Sequence, residues 1–212
     1  MIVSRVIDGD TLKLKDGRTI RLLNINAPEK NMPSSKMAKE FLQKFQNRSI
    51  QIEITDIDKY QRSLARLYDK DYLNIKLVEQ GLSSKFLVQP EELSLFAQAE
   101  ENAIIKEKGI WRHSKWYGCF TTDIDKKNEI VIFTRTCNIS SMKGWSIKDE
   151  SRKTYQFVST PEEQFTLSSS NGRENSSSLF WNAQANIWNN DRDTLYLFDE
   201  ENHIVHSQSY GY

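Results

Sequence analysis

The sequence predicts two domains: a small α+β β-barrel of OB-fold order with three helices over residues 1–117, and an all-β sandwich over residues 118–212. Three observations carry this. Five β-rich runs in the first 70 residues leave room for one amphipathic helical stretch between the third and fourth, the element order of an OB barrel. After WRHSKWYG the helical patterns stop, and short β-like runs alternate with Ser, Asn, Asp and Gly. The charge balance changes sign near the same place: residues 1–120 hold 20 Lys and Arg against 16 Asp and Glu, whereas residues 121–212 hold 9 against 13.

In chain order, the five strands are IVSRVI, TLKLK, RTIRLLNI, IQIEI and SLARLY. Asp16-Gly17 between the second and third predicts a hairpin closed by a type I′ turn, with positive φ at both central residues. In KMAKEFLQKFQN, Met37, Ala38, Phe41, Leu42 and Phe45 recur at helical spacing and leave the lysines outward. NIKLVEQ before Gly81 predicts a short helix ended by glycine. Pro90 through Lys108 predicts a longer one ending at Gly109, with Leu93, Phe96, Ala97, Glu100, Ala103 and Ile104 on its periodic face. Further on, EIVIF, GWSI, YQF, FTL, SLFW, TLYLF and HIVH read as strands, with turn signals at Lys143-Gly144, Asn171-Gly172 and Asn189-Asn190-Asp191. SSSNGRENSSS reads as a solvated loop.

Composition excludes several classes. No apolar run approaches the ~20 residues that cross a bilayer. MIVSRVIDGD reads at once as a strand and lacks the apolar stretch and small-residue cleavage site of a secretory leader. With 29 basic and 29 acidic residues the net charge is zero, so a nucleic acid contact should come from a local cationic groove and not from the protein's overall field. Two cysteines, Cys119 and Cys137, are too few for a disulfide scaffold or a four-thiolate zinc site, leaving buried thiols or one bridge. His203 and His206, three apart in a strand, should point to opposite faces, and zinc is not expected. Asp191 and Asp193 around Arg192 read as a self-paired turn in preference to a cation site.

Polar residues gather at strand ends in four segments: Asp8-Gly9-Asp10-Thr11, Arg21, Asn26-Ala27-Pro28-Glu29 and Asp58-Lys59-Tyr60-Gln61-Arg62. Asp8, Asp10, Asn26 and Glu29 supply hard oxygen donors of the kind Ca²⁺ prefers, and Arg21 and Arg62 supply planar cationic forks suited to a phosphodiester. Taken singly, each segment is an ordinary turn or surface ion pair. Together, and in this order, they describe metal-assisted phosphoryl chemistry.

VIDGDTLKL, RLLNINAPE and DKYQRSLARLY resemble the three signature segments of the staphylococcal nuclease (thermonuclease) family, over residues 1–112. The resemblance implies a Ca²⁺-dependent, sugar-nonspecific endonuclease acting on DNA and RNA, preferring single-stranded or open regions and leaving 3′-phosphates. It makes Asp10 a direct Ca²⁺ ligand, Asn26 the second ligand, Ala27 a backbone-carbonyl ligand and Asp8 a support through water. Glu29 falls at the general base, and Arg21 and Arg62 at the two phosphate-binding arginines. Lys59 falls at the lysine that contacts a terminal phosphate, with Tyr60 beside it in the substrate-binding segment. The sequence departs from the family at three places. Asn26 stands where aspartate is usual, Leu87 and Gln89 stand near the positions of the nucleotide-facing tyrosines, and Gln61 replaces the glycine before Arg62. Only a positive φ would exclude glutamine there.

GWSIKDE, TYQF, LFWN and WNNDRDTLYLFDEENHIV resemble the lamin-tail domain, an immunoglobulin-like sandwich that serves as an accessory targeting module. Its Trp145, Tyr155, Phe157, Trp181, Trp188 and Leu197 alternate as core residues do. The nuclease family's largely secreted character implies an extracellular or cell-surface site, with a cytoplasmic one as the alternative, and the chain is expected to be a monomer whose second domain has a partner of its own. Two competing readings are a noncatalytic nucleic-acid-binding or scaffold protein whose metal site has decayed at Asn26, and an adhesion protein with an idle nuclease domain.

Overall fold

In the computed structural model, which describes residues 1–30 and 34–212, apolar residues of the first unit (Met1–Trp111) alternate along strands whose inner faces share one core. Its elements are β1 (Val3–Val6), β2 (Thr11–Leu14), β3 (Thr19–Leu22), β4 (Ile25–Asn26), α1 (Ser35–Gln43), β5 (Gln51–Ile57), β6 (Ser63–Asp69), β7 (Asp71–Tyr72), α2 (Leu73–Glu79), β8 (Ser84–Lys85) and α3 (Leu93–Ile105). The main sheet runs β1-β2-β3-β6-β5, with β3 and β6 parallel, which is the OB-fold order. Val3, Val6, Leu12, Leu14, Ile20, Leu22, Ala65 and Leu67 are buried inside it. The barrel is open: β1 meets the chain entering β5 at the Ile2–Ser49 bridge, without a ladder along β5.

Local chemistry explains where this unit departs from expectation. RTIRLLNI is two strands, because Asn24 takes a left-handed φ of 65° and turns the chain, so that β4 pairs with β8. Asn24 is held there by three bonds: its amide donates to Glu92 (2.6 Å), its side-chain oxygen accepts the Gln89 N–H (2.9 Å), and its carbonyl accepts the Phe86 N–H (2.9 Å). The β2–β3 hairpin is not closed by a type I′ turn. The Leu14 N–H donates to the Arg18 carbonyl (2.9 Å) across a three-residue loop in which Gly17 alone has positive φ, 94°. A type I turn followed by a left-handed glycine matches strand twist at that length.

The helices follow their apolar stripes. In α1, Ala38, Phe41 and Leu42 are buried and Phe45 is buried just beyond the helix. Met37 is exposed because it lies about a quarter turn off that stripe. Beyond α2, Gly81 adopts φ 63° and the Leu82 N–H reaches the Leu77 carbonyl (2.8 Å), a glycine-terminated end as expected. The long helix is shorter than expected. It is entered by a 3₁₀ turn at Pro90–Glu92, and Glu107 (φ 52°) ends it, with the Lys108 N–H on the Ala103 carbonyl (2.9 Å). Ala99 joins Phe96, Glu100, Ala103 and Ile104 on its buried face, while Leu93 and Ala97 are only half-buried.

The second unit, Arg112–Tyr212, contains β9 (Phe120–Asp125), β10 (Ile130–Arg135), β11 (Ser146–Lys148), β12 (Thr154–Gln156), β13 (Gln164–Ser168), β14 (Ser178–Phe180), β15 (Asp193–Phe198) and β16 (Ile204–Tyr210). They form two four-stranded sheets, β14-β13-β10-β9 and β12-β11-β15-β16. Val131, Phe133, Phe165 and Leu167 from one sheet share a core with Ile147, Leu195, Leu197 and Val205 from the other. Trp145, Tyr155, Phe157 and Trp188 are buried with them, and Trp181 packs half-buried at the edge of that core. Residues 112–118 run with this unit, Ile204 donating to the Arg112 carbonyl (2.8 Å) and Gly118 to that of Val205 (3.1 Å). Cys119 and Cys137 are bridged, their Cα atoms 5.3 Å apart. His203 lies in the turn before β16 beside Asp199 and Glu201, whereas His206 meets Thr122 (2.9 Å). Arg192 pairs with Asp191 (3.3 Å), as a self-paired turn would have it. Among the described residues no helix is long and apolar enough to cross a membrane.

Candidate active site

The β1–β2 turn is built on a contact that only glycine allows. A Cβ at Gly9 would lie 2.6 Å from the Ala38 Cβ and 2.7 Å from the Ala27 Cβ, so the Asp8–Asp10 turn packs directly on α1 and on the segment after β4. That packing sets Asp10 against the Ala27 backbone. The buried Asp10 carboxylate accepts the Ala27 N–H on Oδ2 (2.8 Å) and the Thr11 hydroxyl on Oδ1 (2.9 Å). Asp8 receives the Asp10 N–H on its own Oδ1 (3.1 Å). Burial, with the neighbouring charge of Asp10 adding to it, raises the Asp8 carboxyl above its ordinary range.

Arg21 enters from β3, where it pairs across from Thr11. Its Nε stands 3.3 Å from Asp10 Oδ1, its Nη1 donates to the Leu22 carbonyl (2.5 Å) and its Nη2 lies 3.4 Å from Asn26 Oδ1. The side chain is buried. Burial lowers its proton affinity, Asp10 opposes that, and the positive charge of Arg62 works with burial, so the two arginines are within electrostatic reach of each other. A guanidinium stays charged even so.

Arg62 is aimed by a different device, the turn between β5 and β6. Asp58 accepts the Tyr60 N–H (2.9 Å) and the Arg62 N–H (3.0 Å) on Oδ1, and grips the Arg62 guanidinium through Oδ2 at 2.7 and 2.8 Å. Burial works against the charge on Asp58, but these donors outweigh it and hold the carboxyl below its ordinary range. Lys59 and Tyr60 are exposed at the tip, the tyrosine ring flanked by Lys59 Nζ at 5.1 Å and Arg62 at 5.4 Å. Gln61 sits at φ 63°, the left-handed conformation that glycine would tolerate best.

The structure therefore brings together Asp8, Asp10, Arg21, Asn26 and the Ala27 backbone, with Arg62 in electrostatic range of Arg21. Glu29 is exposed two residues beyond Ala27. Leu87 is exposed at φ 47° and Gln89 is exposed too, so neither presents a ring to a nucleotide. Sequence reasoning assigned no role to Ser84, whose hydroxyl donates to the Asn26 carbonyl (3.2 Å), or to Lys85 and Glu100, whose buried ion pair (2.7 Å) ties β8 to α3. The signal for that pair was an acid on an otherwise apolar helix face.

Among the described residues no three carboxylate, imidazole or thiolate groups converge. The donors available are the carboxylates of Asp8 and Asp10 and the amide oxygen of Asn26, with the Ala27 backbone beside them. All are hard oxygens, and with Arg21 offsetting Asp10 the set keeps the negative charge of Asp8 for a divalent cation, so the donor chemistry fits Ca²⁺.

Residues 19–113 match the Staphylococcal nuclease homologue family, and residues 122–212 match the Lamin Tail Domain family. The chain is 31% identical over 115 residues to an uncharacterized endonuclease of Haemophilus influenzae, a stretch covering 51% of this chain and 64% of that one. It is 32% identical over 111 residues to a probable staphylococcal-like nuclease of Oryza sativa, covering 51% of this chain and 33% of the rice protein. An uncharacterized endonuclease of Escherichia coli O157:H7 is 25% identical over 122 residues, covering 51% of this chain and 74% of that one. The chain thus spans less than two thirds of the Haemophilus and rice relatives.

Proposed function

From a chain that carries a staphylococcal nuclease homologue domain followed by a lamin tail domain, we propose an endonuclease that hydrolyses phosphodiester bonds of DNA and RNA. It is Ca²⁺-dependent, indifferent to the sugar, and prefers single-stranded or open regions. The observation that carries this reading is a buried Arg21 fixed by Asp10, with Arg62 in range and the oxygens of Asp8 and Asn26 adjoining.

Asp10, Asn26, the Ala27 carbonyl and, through water, Asp8 would hold Ca²⁺, which when bound supplies Lewis-acid polarisation of a phosphate oxygen. Glu29, exposed to solvent, takes a proton from the attacking water, a role typically worth ~10²–10⁴ in rate. Arg21 cannot swing, because Asp10 and the Leu22 carbonyl fix it, so its charge is in place before charge builds on the phosphorus. Arg62, gripped by Asp58, provides the second fork. Lys59 and Tyr60 meet the substrate at the exposed tip. Attack by water opposite the 5′ oxygen breaks the P–O5′ bond, the departing oxygen takes up a proton as a 5′-hydroxyl, and a 3′-phosphate is left.

The second domain serves as a targeting module with its own partner, and the protein acts as a monomer at an extracellular or cell-surface site. The Cys119–Cys137 bridge supports that location, since such bridges persist in oxidising compartments. Digestion of denatured DNA and of RNA, with Ca²⁺ and with chelator, tests the whole reading. Activity indifferent to chelator would sink the metal. The amide at Asn26 favours a second reading, a noncatalytic nucleic-acid-binding protein. Under the catalytic reading Glu29→Ala loses most turnover and keeps binding, whereas under the second there is no turnover to lose.

A further inference from the structure

Arg5 on β1 and Lys13 on β2 stand directly opposite each other in the antiparallel ladder, and both are exposed. Like charges facing each other across strands are destabilising. Neither has an ion-pair or hydrogen-bond partner for its charged group among the described residues. The positions around them are not acidic either: a bulge at Ser4 turns Val3 to the inner face, Ile7 follows Arg5 on its face of β1, Thr11 precedes Lys13 on its face of β2, and Thr19 faces Lys13 from β3. The nearby carboxylate, Asp16 at the hairpin turn, is engaged by Arg18 at 2.6 Å. The sheet therefore holds two adjacent cations with nothing of its own to neutralise them.

Their position gives the pair a use. Residues two apart on a strand share a face, so Lys13 lies on the side of β2 that carries Thr11, and Thr11 is the cross-strand partner of Arg21. From Arg21 on β3, Lys13 is one strand across and two residues along, about 8 Å, and Arg5 a second strand across, about 12 Å. A polyanion with regularly spaced charges, entering at Arg21, meets its next cations there.

Resting on the nuclease reading above, we propose that Arg5 and Lys13 form a phosphate subsite that continues the substrate track beyond Arg21 and holds a flanking phosphate of a nucleic acid strand. The contact is to the backbone and reads no bases. Its signature is electrostatic: each phosphate contact on a single strand contributes about 0.7 to the slope of log affinity against log salt. The pair is a binding feature kept at the expense of stability, so neutralising it should weaken binding without weakening the fold.

The test is titration of a labelled oligothymidylate with the full chain in chelator, so that no strand is cut, across a salt series. Wild type is compared with the Arg5→Gln, Lys13→Gln double variant and with Lys127→Gln in the second unit. The expected result is a slope shallower by about 0.7 in the double variant, unchanged in Lys127→Gln, with a melting temperature of the double variant equal to or above wild type. A wild-type slope retained in the double variant overturns the subsite while leaving the nuclease reading intact. A wild-type chain that does not bind the oligonucleotide also overturns the subsite, while the nuclease reading is decided separately by digestion with Ca²⁺. If the double variant melts lower, Lys13→Gln alone, which still removes the facing like charges, is titrated in its place. An unchanged slope there is equally fatal.

Discussion

Asn26 holds its amide oxygen 3.4 Å from an arginine that Asp10 already neutralises. Replacing Asn26 by aspartate adds a carboxylate at nearly constant volume to a set of donors short of one charge. Oxygen sites tune Ca²⁺ affinity by ligand charge count, so the Ca²⁺ concentration for half-maximal activity should fall several-fold in Asn26→Asp, with turnover at saturating metal changing less. An equal or higher requirement would remove Asn26 from the metal site. Gln61 is a second residue whose chemistry disagrees with its place. At φ 63° a side chain costs about 1–2 kcal/mol relative to right-handed backbone, and glycine loses about 0.5–1 of that gain through unfolded-state entropy. Gln61→Gly should therefore raise stability by up to about 1 kcal/mol, readable as a higher urea midpoint. A lower midpoint would mean that the glutamine side chain contributes something the backbone cost conceals. That Asp8, Asp10 and Arg21 would meet was legible because polar residues recurring at strand ends gather at one rim. The φ of residue 61 was not, because a dihedral is set by the Asp58–Arg62 turn around it and leaves no mark on the residue itself.

At the scale of elements, what could be read in advance was whatever repeats. Amphipathic α1 and α3 announce themselves through period, and the five strands of the first unit's main sheet as runs of apolar and β-branched residues. β4 and β8 do not, since each is two residues long and exists only because Asn24 bends one to meet the other. β9 (FTTDID) is mostly polar and is a strand because β10 pairs with it over six residues. The β4–β8 pair is fastened from behind by a buried ion pair. Glu100 accepts the Lys85 backbone N–H (2.8 Å) and binds its ammonium (2.7 Å), with side chains 1% and 3% exposed. Removing one member of such a pair strands a charge in the interior, at a cost of about 3–5 kcal/mol. Glu100→Ala should lose that much in denaturant unfolding. Lys85→Met together with Glu100→Leu strands no charge but still orphans the Lys85 N–H, so it should recover the part of the loss that the charge causes. If the double variant is no better than Glu100→Ala, the cost lies in packing and not in an abandoned charge.

For the whole molecule, two units with separate cores should unfold as separate transitions, and acid should move them differently. In the second unit Asp193 is fully buried and accepts four N–H groups: Glu150 (3.2 Å), Thr194 (2.8 Å), and both the backbone (3.1 Å) and the side chain (2.9 Å) of Asn189. Burial nonetheless pushes its carboxyl up from 3.8 to about 6, and the charge of neighbouring Glu150 adds to this. Asp149, also buried, is raised for the same first reason. The sign follows from proton counting. Between about pH 4 and 6 the folded unit keeps a proton that the unfolded chain has released, so stability falls as pH rises through that window and has fallen fully by neutrality. Roughly two pKa units correspond to about 3 kcal/mol. Burial lowers the proton affinity of His206, which works the other way below neutrality. Residues 112–212 produced alone should therefore fold, and with His206→Gln should melt higher at pH 5 than at pH 7. Residues 1–111 alone should fold without that trend, since Asp8 is raised while Asp16 and Asp58 are lowered. Calorimetry of the three chains at both pH values measures this. If the second unit instead melts lower at pH 5, the four N–H donors outweigh burial and Asp193 is ionised in the fold. If neither half folds without the other, the cores are not independent.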